Sequence, residues 1–511
     1  MDAIIGIDLG TTNSEVAILE NDVATIVEEN GKSILPSVAG FAPDGKLLVG
    51  TPALNQLLVY PEQTVRSIKR RMGRVEKVVV AGREYRPAEI SAIILRRLKE
   101  RAERRLSAPV HKAVITIPAF FDEAQRRATT EAGELAGMEV VRLLHEPTAA
   151  TLVYDSDLSK PRKVLVYDLG GGTFDVSIAE IQDGLTEVLA SHGDTELGGD
   201  DFDELLLDHV LTRFEEESEL DVRDSARVIG RLRVAVEKAK RRLSFHPFVT
   251  VEEEFLVESK GTPLHLSIEI ERAEYENLIR PIVERSMTSV QTALNQAGLL
   301  LKDLDSVLLV GGSTRTPLVS NELELRTGVT PRQDIHPDLC VALGAAVQAG
   351  MIAGCNVGRT LVDVSAHSVG ISCVGVTPDV GFSVDHFSRI IPRNSPLPTT
   401  RSHVYATTVD DQAAANIEVF QGEDDIASNN TRLDGFRVAG LDEDASEGNP
   451  IVVQFNLTLD GTLTVTAKEK NTGISKRVVI ESAEAGRASR PLPPEISGAF
   501  ETPALAPPHA S

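Results

Sequence analysis

The chain has 511 residues, a formal net charge of −24, 42% hydrophobic residues and 25% charged residues. This length predicts two or more domains, each able to bury its own core. The negative charge argues against a general binder of nucleic acid or of anionic membranes, although one nucleotide in a cleft remains compatible with it. Three widely spaced cysteines and the lack of a signal-peptide pattern predict a cytoplasmic protein.

The first motif is a glycine turn between two apolar runs at the N-terminus, AIIGIDLGTTNSEVAILE. The same arrangement returns at residues 163–181 (KVLVYDLGGGTFDVSIAEI), where Asp168 precedes three glycines and Asp175 follows them. Glycines leave backbone N–H groups uncovered and form a nest for a phosphate. One such segment alone would be an ordinary hairpin turn, but internal repetition is typical of a duplicated architecture. Two facing hairpins would hold a polyphosphate, with Asp168 and Asp175 beside a hydrated cation.

Strands and helices alternate between the two hairpins. The basic stretch at 65–74 (VRSIKRRMGR) is predicted to be a solvated helix end, unless one lysine points into a phosphate cleft. The pattern predicts an amphipathic helix over 87–106, a strand that ends at Pro118 and a helix from Asp122 to Gly137. Glu146 stands where the next strand ends. The alternation indicates an α/β fold in which helices cover a mixed sheet.

After the second hairpin, a long helix is predicted from Ser225 to Ser244. Four polar residues on it share one face and would ordinarily form a solvated, ion-paired stripe. They are Glu237, Lys240, Arg241 and Ser244. A later apolar strand runs into Gly311-Gly312, which permits the close approach of a flat ligand.

The texture of the sequence changes at about Gly358. Short alternating β runs replace the helical patterns and predict a compact β-sandwich. The segment 482–511 is rich in Ala and Pro, has no apolar period and is predicted to be disordered.

Taken together, these stretches resemble the seventy-kilodalton heat-shock chaperone family (DnaK type). The matching stretches follow the family's order over nearly all of residues 1–480: IIGIDLGTTNS, IKRRMGR, ITIPAFFDEAQRRAT, HEPTAA, VYDLGGGTFDVS, GDTELGGDDFD, EKAKRRLS, LLVGGSTRTP, HPDLCVALGAAVQAG, NIEVFQGE and DGTLTVTAKEKNTG. The resemblance implies an α/β, actin/hexokinase-like two-lobed ATPase domain (1–357), a linker (358–365) and a C-terminal all-β sandwich that binds peptide (366–481).

The resemblance also assigns roles within the cleft, with ATP or ADP, Mg²⁺ and, as a further candidate, K⁺ as cofactors. The two phosphate loops would be Gly10, Thr11, Thr12 and Asn13, and Gly170, Gly171, Gly172 and Thr173. Asp8 and Asp168 would hold Mg²⁺, mostly through its waters. The catalytic set would be Lys69 at the γ-phosphate and the attacking water, Glu146 and Asp175 orienting water or ions, and Asp168 and Thr173. The remaining nucleotide contacts would come from Gly198, Gly199, Glu237, Lys240, Arg241, Ser244, Gly311, Gly312, Ser313, Arg315 and Asp338.

For the sandwich, the resemblance implies that extended apolar segments of unfolded client polypeptides bind there. The cleft positions would be Ile371, Cys373, Val374, Tyr405, Thr408, Gln412, Ala415 and Ile417. Arg126, Arg142 and Asp363 would couple the two domains, so that client and a J-domain co-chaperone promote hydrolysis. The chain would act as a monomer, and the resemblance leaves the nucleotide exchange factor open.

Several departures from the family pattern indicate the HscC-like branch of divergent bacterial chaperones. The linker (GRTLVDVSAH) keeps only Leu361 and Val362 of the family's apolar run, and His145 replaces the usual Asn. Thr130 replaces a basic residue, and Ala415 is smaller than the expected β-branched residue. The loop that follows Val374 differs from the family pattern, and the segment after Ser244 is shorter than in the family. A helical lid after the sandwich is not expected. These differences predict weak, quickly exchanging client binding.

The sequence leaves three alternative functions open. Sugar kinases share the duplicated phosphate hairpins, and so do actin-like filament proteins, but neither carries a β-sandwich after a short linker. A chaperone relative that holds ATP with little turnover, as a holdase or exchange factor, is the third.

Overall fold

The computed structural model describes residues 3–154, 161–259, 261–332, 336–377, 381–442, 447–459, 461–480 and Ile496. In this part of the chain, no helix is both long and apolar enough to cross a membrane.

The first lobe of the N-terminal domain is built on a mixed sheet with strand order β11-β10-β1-β2-β3. Its strands are β1 (Ile4–Leu9), β2 (Asn13–Glu20), β3 (Val23–Ile26), β4 (Leu35–Pro36), β5 (Ala39–Phe41), β6 (Leu47–Val49), β7 (Thr64–Val65), β8 (Val78–Val80), β9 (Arg83–Tyr85), β10 (Lys112–Ile117) and β11 (Glu139–His145). Its helices are α1 (Thr51–Leu57), α2 (Pro87–Leu106), α3 (Glu123–Leu135) and α4 (Glu146–Thr151), with 3₁₀ turns at Pro61–Gln63 and Ile68–Arg71.

The second lobe repeats this plan with strand order β17-β12-β13-β14-β18. Its strands are β12 (Arg162–Leu169), β13 (Phe174–Gln182), β14 (Leu185–Asp194), β15 (Phe248–Ser259), β16 (Thr262–Glu271), β17 (Ser306–Val310) and β18 (Thr360–Val362). Its helices are α5 (Gly199–Ser218), α6 (Ala226–Leu243), α7 (Arg272–Ala297), α8 (Pro317–Thr327) and α9 (Cys340–Ile352), with 3₁₀ turns at Leu301–Asp303 and Gly312–Arg315. In each lobe the first hairpin is antiparallel and a later strand joins it in parallel, so the duplicated architecture is confirmed.

Helix α9 joins the two lobes. It packs in one buried cluster with side chains from both sheets, among them Val114 of β10 and Val164 of β12. Two glycines allow this close approach. A Cβ on Gly344 would lie 1.9 Å from the carbonyl oxygen of Ala149, and one on Gly6 would lie 2.2 Å from the amide nitrogen of Ala346. Helix α9 therefore holds the two sheets, and with them the two lobes, at a close distance from each other.

Helix starts follow the predicted signals. Asp122 caps α3 by accepting a hydrogen bond from the Gln125 N–H at 2.8 Å, and Ser225 caps α6 by accepting one from the Val228 N–H at 3.4 Å. The basic stretch forms a 3₁₀ turn that buries Ile68 and Lys69. Lys69 is therefore the exception that the sequence allowed, a lysine withdrawn from solvent.

The C-terminal domain is a sandwich of two four-stranded antiparallel sheets, ordered β20-β19-β22-β23 and β21-β24-β25-β26. Its strands are β19 (Val369–Thr377), β20 (Gly381–Ile391), β21 (Thr399–Ala406), β22 (Ala414–Gln421), β23 (Thr431–Ala439), β24 (Pro450–Leu457), β25 (Leu463–Glu469) and β26 (Ser475–Ile480), with a 3₁₀ turn at Ala427–Asn429. Both sheets contribute to one apolar core that includes Val419 and Phe455. The predicted sandwich is confirmed. The disorder predicted for 482–511 lies outside the described residues, except that Ile496 is buried in the apolar core of the first lobe.

The sandwich is docked on the N-terminal domain. Strand β18, inside the predicted linker, pairs in parallel with β14 at the edge of the second-lobe sheet. The Gln421 side chain accepts a hydrogen bond from the Glu123 N–H at 3.1 Å, and the Asn394 amide donates to the Gln296 side chain at 3.0 Å. Both lobes therefore contact the sandwich.

Candidate active site

A cavity of ≈ 340 Å³ opens between the two lobes. It collects most of the residues that the sequence predicts for nucleotide and metal. These are Asp8, Gly10, Thr11, Thr12, Asn13, Lys69, Glu146, Asp168, Gly170, Gly171, Thr173, Glu237, Lys240, Arg241, Ser244, Gly311, Gly312, Ser313, Arg315 and Asp338. Residues up to 330 positions apart in the chain, from Asp8 to Asp338, therefore line one cleft.

The two glycine turns face each other across this cavity. A Cβ on Gly171 would lie 2.0 Å from the Thr12 hydroxyl oxygen, so the second turn contacts the first only because it lacks a side chain there. Helix α5 begins directly behind the second turn, where the Gly199 N–H donates to the Gly170 carbonyl at 3.0 Å. The positive end of the α5 dipole adds to the exposed N–H groups of the turns. The arrangement suits an anion with several phosphates.

Lys69 and Glu146 form a buried charge-assisted hydrogen bond at the base of the cavity, with side chains 4% and 9% exposed. Glu146 begins α4 directly after β11, and Lys69 comes from the 3₁₀ turn, so two separate elements bring the pair together. Burial alone would lower the pKa of Lys69, but Glu146, Asp8 and Asp168 raise it above its ordinary value. The ammonium therefore stays charged and can stabilise negative charge that develops on a nearby phosphate.

Three carboxylates surround this pair. Burial, followed by the charge of Glu146, raises the pKa of Asp8 to about 7, although Asp8 accepts a hydrogen bond from the Thr116 hydroxyl at 2.8 Å. The same two causes raise the pKa of Asp168 well above its ordinary range and that of Asp175 to about 8. Burial is the larger cause and repulsion between neighbouring carboxylates the smaller one, because four acidic groups share this space with the single ammonium of Lys69. A bound cation would relieve this repulsion, so the donors fit one.

In the described part of the chain, no group of three or more His, Cys, Asp or Glu side chains is arranged to hold a metal by itself. Two carboxylates, Asp8 and Asp168, line the cavity on opposite lobes.

The polar face of α6 lies at the other end of the cavity and is not a solvated stripe. Lys240 donates to the Gly199 carbonyl and lies 2.9 Å from an Asp203 carboxylate oxygen, so it ties α6 to α5. Arg241 pairs with Glu237 at 2.7 Å, and Arg315 pairs with Asp338 at 2.7 Å across the opening. The two arginine side chains remain 60% and 38% exposed, and the planar faces of their guanidinium groups can stack on a flat base.

Sequence reasoning missed several lining residues, among them Glu15, Ile34, Asp203 and Phe245. Asp203 follows Gly199 by one helical turn, a spacing that places both beside the second glycine turn. Glu15 lies directly opposite Asp8 in the antiparallel β1–β2 ladder. Residues that pair in this way point to the same face of the sheet, so the alternation of side chains would have predicted Glu15 beside Asp8. Burial, Asp8 and Asp338 raise the pKa of Glu15 above its ordinary value.

Four predicted residues lie next to the cavity without lining it. Gly198 and Gly199 pack against the second turn, where a Cβ on Gly198 would lie 2.6 Å from Gly171. Gly172 packs against the aliphatic part of Arg70. Asp175 is buried and accepts a hydrogen bond from the Phe120 N–H at 3.1 Å. These positions support the shape of the site, and the predicted role of Asp175 in orienting water or ions stays a prediction.

The predicted client-binding residues lie within the sandwich domain. Ile371 and Ile417 are buried in its core, and Ala415 packs against it. Tyr405 shares a hydrogen bond of 2.8 Å with Ser388, and the Gln412 side chain accepts from the Thr408 N–H at 3.0 Å. Val374 is 42% exposed, whereas Cys373 is partly buried.

The predicted coupling residues meet at a buried joint beside Glu146. Asp363, in the loop after β18, lies 3.1 Å from the His145 Nδ1, off the line of a good hydrogen bond, and accepts from the Val364 N–H at 2.9 Å. Arg126 lies 3.3 Å from the other nitrogen of His145, and Arg142 is 8% exposed. Burial alone would raise the pKa of Asp363, but His145, the Val364 N–H and Arg142 lower it below its ordinary value. The linker carboxylate is therefore held charged. The histidine that it faces is the residue directly before Glu146 in the chain.

Comparison with known proteins gives consistent matches along the chain. The family model described as "Hsp70 protein" matches residues 4–79 and 75–490. The chaperone protein DnaK of Thermotoga neapolitana is 44% identical over 486 residues, which cover 93% of this chain and 80% of the relative. The DnaK proteins of Thermotoga petrophila and Thermotoga sp. (strain RQ2) are 43% identical over the same coverage.

The charge imbalance leads to a prediction for Asp8→Asn. Because the pKa of Asp8 in the folded chain is about 7, above its unfolded value, the ionised carboxylate destabilises the nucleotide-free fold above pH 7. At pH 8 the variant should be more stable than the wild type by about 1–2 kcal/mol, and this advantage should shrink as the pH falls from 7 toward 4. Thermal unfolding should also show a smaller stabilisation by Mg·ATP. Asp44→Asn, at an exposed turn, is the control and should change neither quantity. An Asp8→Asn chain that was less stable than the wild type at pH 8 would contradict this account.

Proposed function

Because the chain belongs to the Hsp70 family, we propose that hydrolysis of Mg·ATP in the cleft controls how the sandwich domain holds an extended polypeptide. The protein is an ATP-dependent chaperone with ATPase activity. The observation that carries the specific proposal is the contact of the two glycine turns around the buried Lys69–Glu146 pair. The sugar-kinase and filament alternatives are not retained, because the family match continues through the sandwich to residue 490.

In the proposed reaction, the turn N–H groups bind the phosphates and Lys69 stabilises the charge that develops on the γ-phosphate. Glu146 fixes the Lys69 ammonium in place and can orient the attacking water. Water adds to the γ-phosphorus, the bond to the ADP oxygen breaks, and phosphate leaves. Arg241 and Arg315 flank the opening and would hold the base between their planar groups.

Asp8 and Asp168 would hold Mg²⁺ mainly through its waters, with the remaining ligands from phosphate oxygens. When bound, the metal neutralises phosphate charge and orients the triphosphate. The position of these two carboxyl groups on opposite lobes of the cavity supports this assignment, and so does the mutual repulsion with Glu146 that adds to burial in raising their pKa values. K⁺ remains a further candidate in the same cleft.

Removal of the lysine gives the sharpest test of the chemistry. In Lys69→Ala, single-turnover ATP hydrolysis should fall at least about 100-fold, because the positive charge that faces the transition state is lost. Nucleotide binding, measured by calorimetry, should change only a few-fold, since the turns and the α6 face remain. Lys77→Ala removes an exposed lysine paired with Glu84 and should hydrolyse ATP like the wild type. Comparable turnover in Lys69→Ala and the wild type would remove Lys69 from the mechanism.

The joint at Asp363 supports coupling of the two domains. We propose that ATP favours the docked arrangement with fast client exchange, that ADP favours an undocked one that holds the client, and that a J-domain partner acts on this equilibrium. The route is short, because Asp363 contacts His145, and His145 precedes Glu146 in the chain. By linkage, a client that favours one arrangement must alter the reaction that depends on it.

Truncation of the linker carboxylate should uncouple the domains. An unfolded peptide should raise the single-turnover rate of ATP hydrolysis in the wild type, and Asp363→Ala should abolish this stimulation, because its basal cleft is intact but the docked linker has lost its charged anchor. Asp44→Ala should be stimulated like the wild type. If the peptide left the wild-type rate unchanged, the domains would be uncoupled. If Asp363→Ala were stimulated normally, another contact would carry the signal.

The finer features of the sequence support weak, quickly exchanging client binding of the kind expected for the HscC-like branch. Ala415 leaves the sandwich with a small side chain where a β-branched one is expected. A fluorescent apolar peptide bound in ADP should therefore dissociate within minutes, and Ala415→Val should slow its release several-fold by filling the pocket. Retention for many minutes by the wild type would refute this proposal. A monomeric chain and a cytoplasmic location remain predictions from the sequence.

A further inference from the structure

Phe120 lies where the two lobes and the sandwich domain meet. Its ring packs between two imidazoles, His192 of β14 at a centroid distance of 5.0 Å and His367 of the β18–β19 loop at 4.7 Å. The rings are tilted by 35° and 58°. The Nε2 of His367 also lies 3.3 Å from the Phe120 carbonyl oxygen. One aromatic side chain of the first lobe is therefore held by a histidine of the second lobe and by a histidine of the sandwich.

We propose that His192 and His367 form a pH-sensitive latch on Phe120, so that protonation of either imidazole releases the sandwich from the ATPase domain. The consequence for client exchange rests on the coupling proposed above, whereas the latch itself concerns only the docked contact. His145, in the same interface, faces Asp363 and is not part of the latch.

The surroundings of the two histidines disfavour a positive charge. The positive charge of Arg393, in the loop after β20, acts on both imidazoles. The Nδ1 of His192 and the Nη2 of Arg393 are buried and find no hydrogen-bond partner among the described residues. A proton on His192 would thus be buried beside another cation without a direct acceptor.

Acidic groups face the pair but do not offset this cost. Asp194 acts on His192 from the same strand, and it already pairs with Arg285. Glu423 and Asp122 act on His367, and Glu423 already accepts two hydrogen bonds from Ser368. Asp175, on the neighbouring strand, accepts from the Phe120 N–H. The available carboxylates therefore have other partners.

The net effect has one sign. Burial, followed by the charge of Arg393, lowers the pKa of His192 to about 4. Burial also lowers the pKa of His367 below its ordinary value, although the hydrogen bond to the Phe120 carbonyl opposes this. When the sandwich undocks, both imidazoles gain water and lose Arg393, and their pKa values return toward about 6.5. The undocked state then binds more protons, so docking weakens as the pH falls from about 6.5 toward 4. His192 is only partly buried, so its effect is moderate. We expect its protonation to lower the docking constant about two- to fourfold between pH 7.5 and pH 6.0.

The test is small-angle X-ray scattering of the full chain, which separates docked from extended molecules. The docked fraction would be measured at pH 7.5 and pH 6.0, above the sequence pI of about 5.0, both without nucleotide and at the Mg·ATP concentration that gives half docking. The wild type should lose docking at the lower pH. The double variant His192→Asn/His367→Leu should lose much less, because neither replacement takes up a proton. His111→Asn, at an exposed position, should behave like the wild type.

A third variant keeps both histidines and separates the latch from any loss of packing. Arg393→Gln removes a cation that opposes protonation, so its docking should depend less steeply on pH than that of the wild type. Equal pH dependence in the wild type, the double variant and Arg393→Gln would overturn the latch, and so would a wild type whose docking did not change. If Mg·ATP failed to shift the docked fraction at pH 7.5, the proposed coupling would fail, while the nucleotide-free measurements would still decide the latch.

Discussion

Four carboxyl groups, three of them buried, share the cleft with the buried Lys69, and the fold of both lobes holds this unequal set of charges together. Asp8, Asp168 and Asp175 share a buried space with Glu146, and Lys69 is the cation that faces them there. Such a site is unfavourable when it is empty and becomes favourable when a cation enters with its phosphates. The nucleotide-free fold thus carries a cost that the ligand removes, which is the physical basis for a protein whose conformation responds to what it binds.

The charges in the cleft and the linker are connected through one sheet, that of the second lobe. Asp168 ends β12, β13 and β14 continue the sheet, and β18 adds the linker at its far edge. On the other side of the cleft, the chain passes directly from His145 at the linker joint to Glu146, which pairs with Lys69. A movement of the linker therefore reaches the cleft through a strand edge and through one peptide bond, with no need for a long chain of intermediate contacts. That is a structural route, and only the response of the ATPase rate to a client can show that energy travels along it.

Much of this architecture was predictable because local signals and the global fold agree. The repeated Asp-Leu-Gly turns predicted the duplicated lobes, and the acidic and hydroxyl caps at Asp122 and Ser225 placed two helices to within a residue or two. Lys69 shows where composition fails: a basic run is usually solvated, and only the tertiary fold buries one member of it against Glu146. Asp203 and Glu15 were missed although helical spacing from Gly199 and strand pairing with Asp8 place them beside the site, because such spacing does not show what a buried acid will face.

The interface shows a different limit, because its chemistry comes from three distant segments. Nothing near His192 in the sequence indicates that a residue 175 positions later will face the same phenylalanine ring. The neighbouring joint has the opposite electrostatic character. His145 lies against a carboxylate that is held charged, whereas His192 and His367 lie against an aromatic ring and within the field of the Arg393 guanidinium. The interface therefore contains two kinds of contact: the His145–Asp363 contact stabilises a charged group, whereas the contacts of His192 and His367 with Phe120 disfavour one. An undocking event must leave both, so the interface can respond to charge at either place without any change in the cleft.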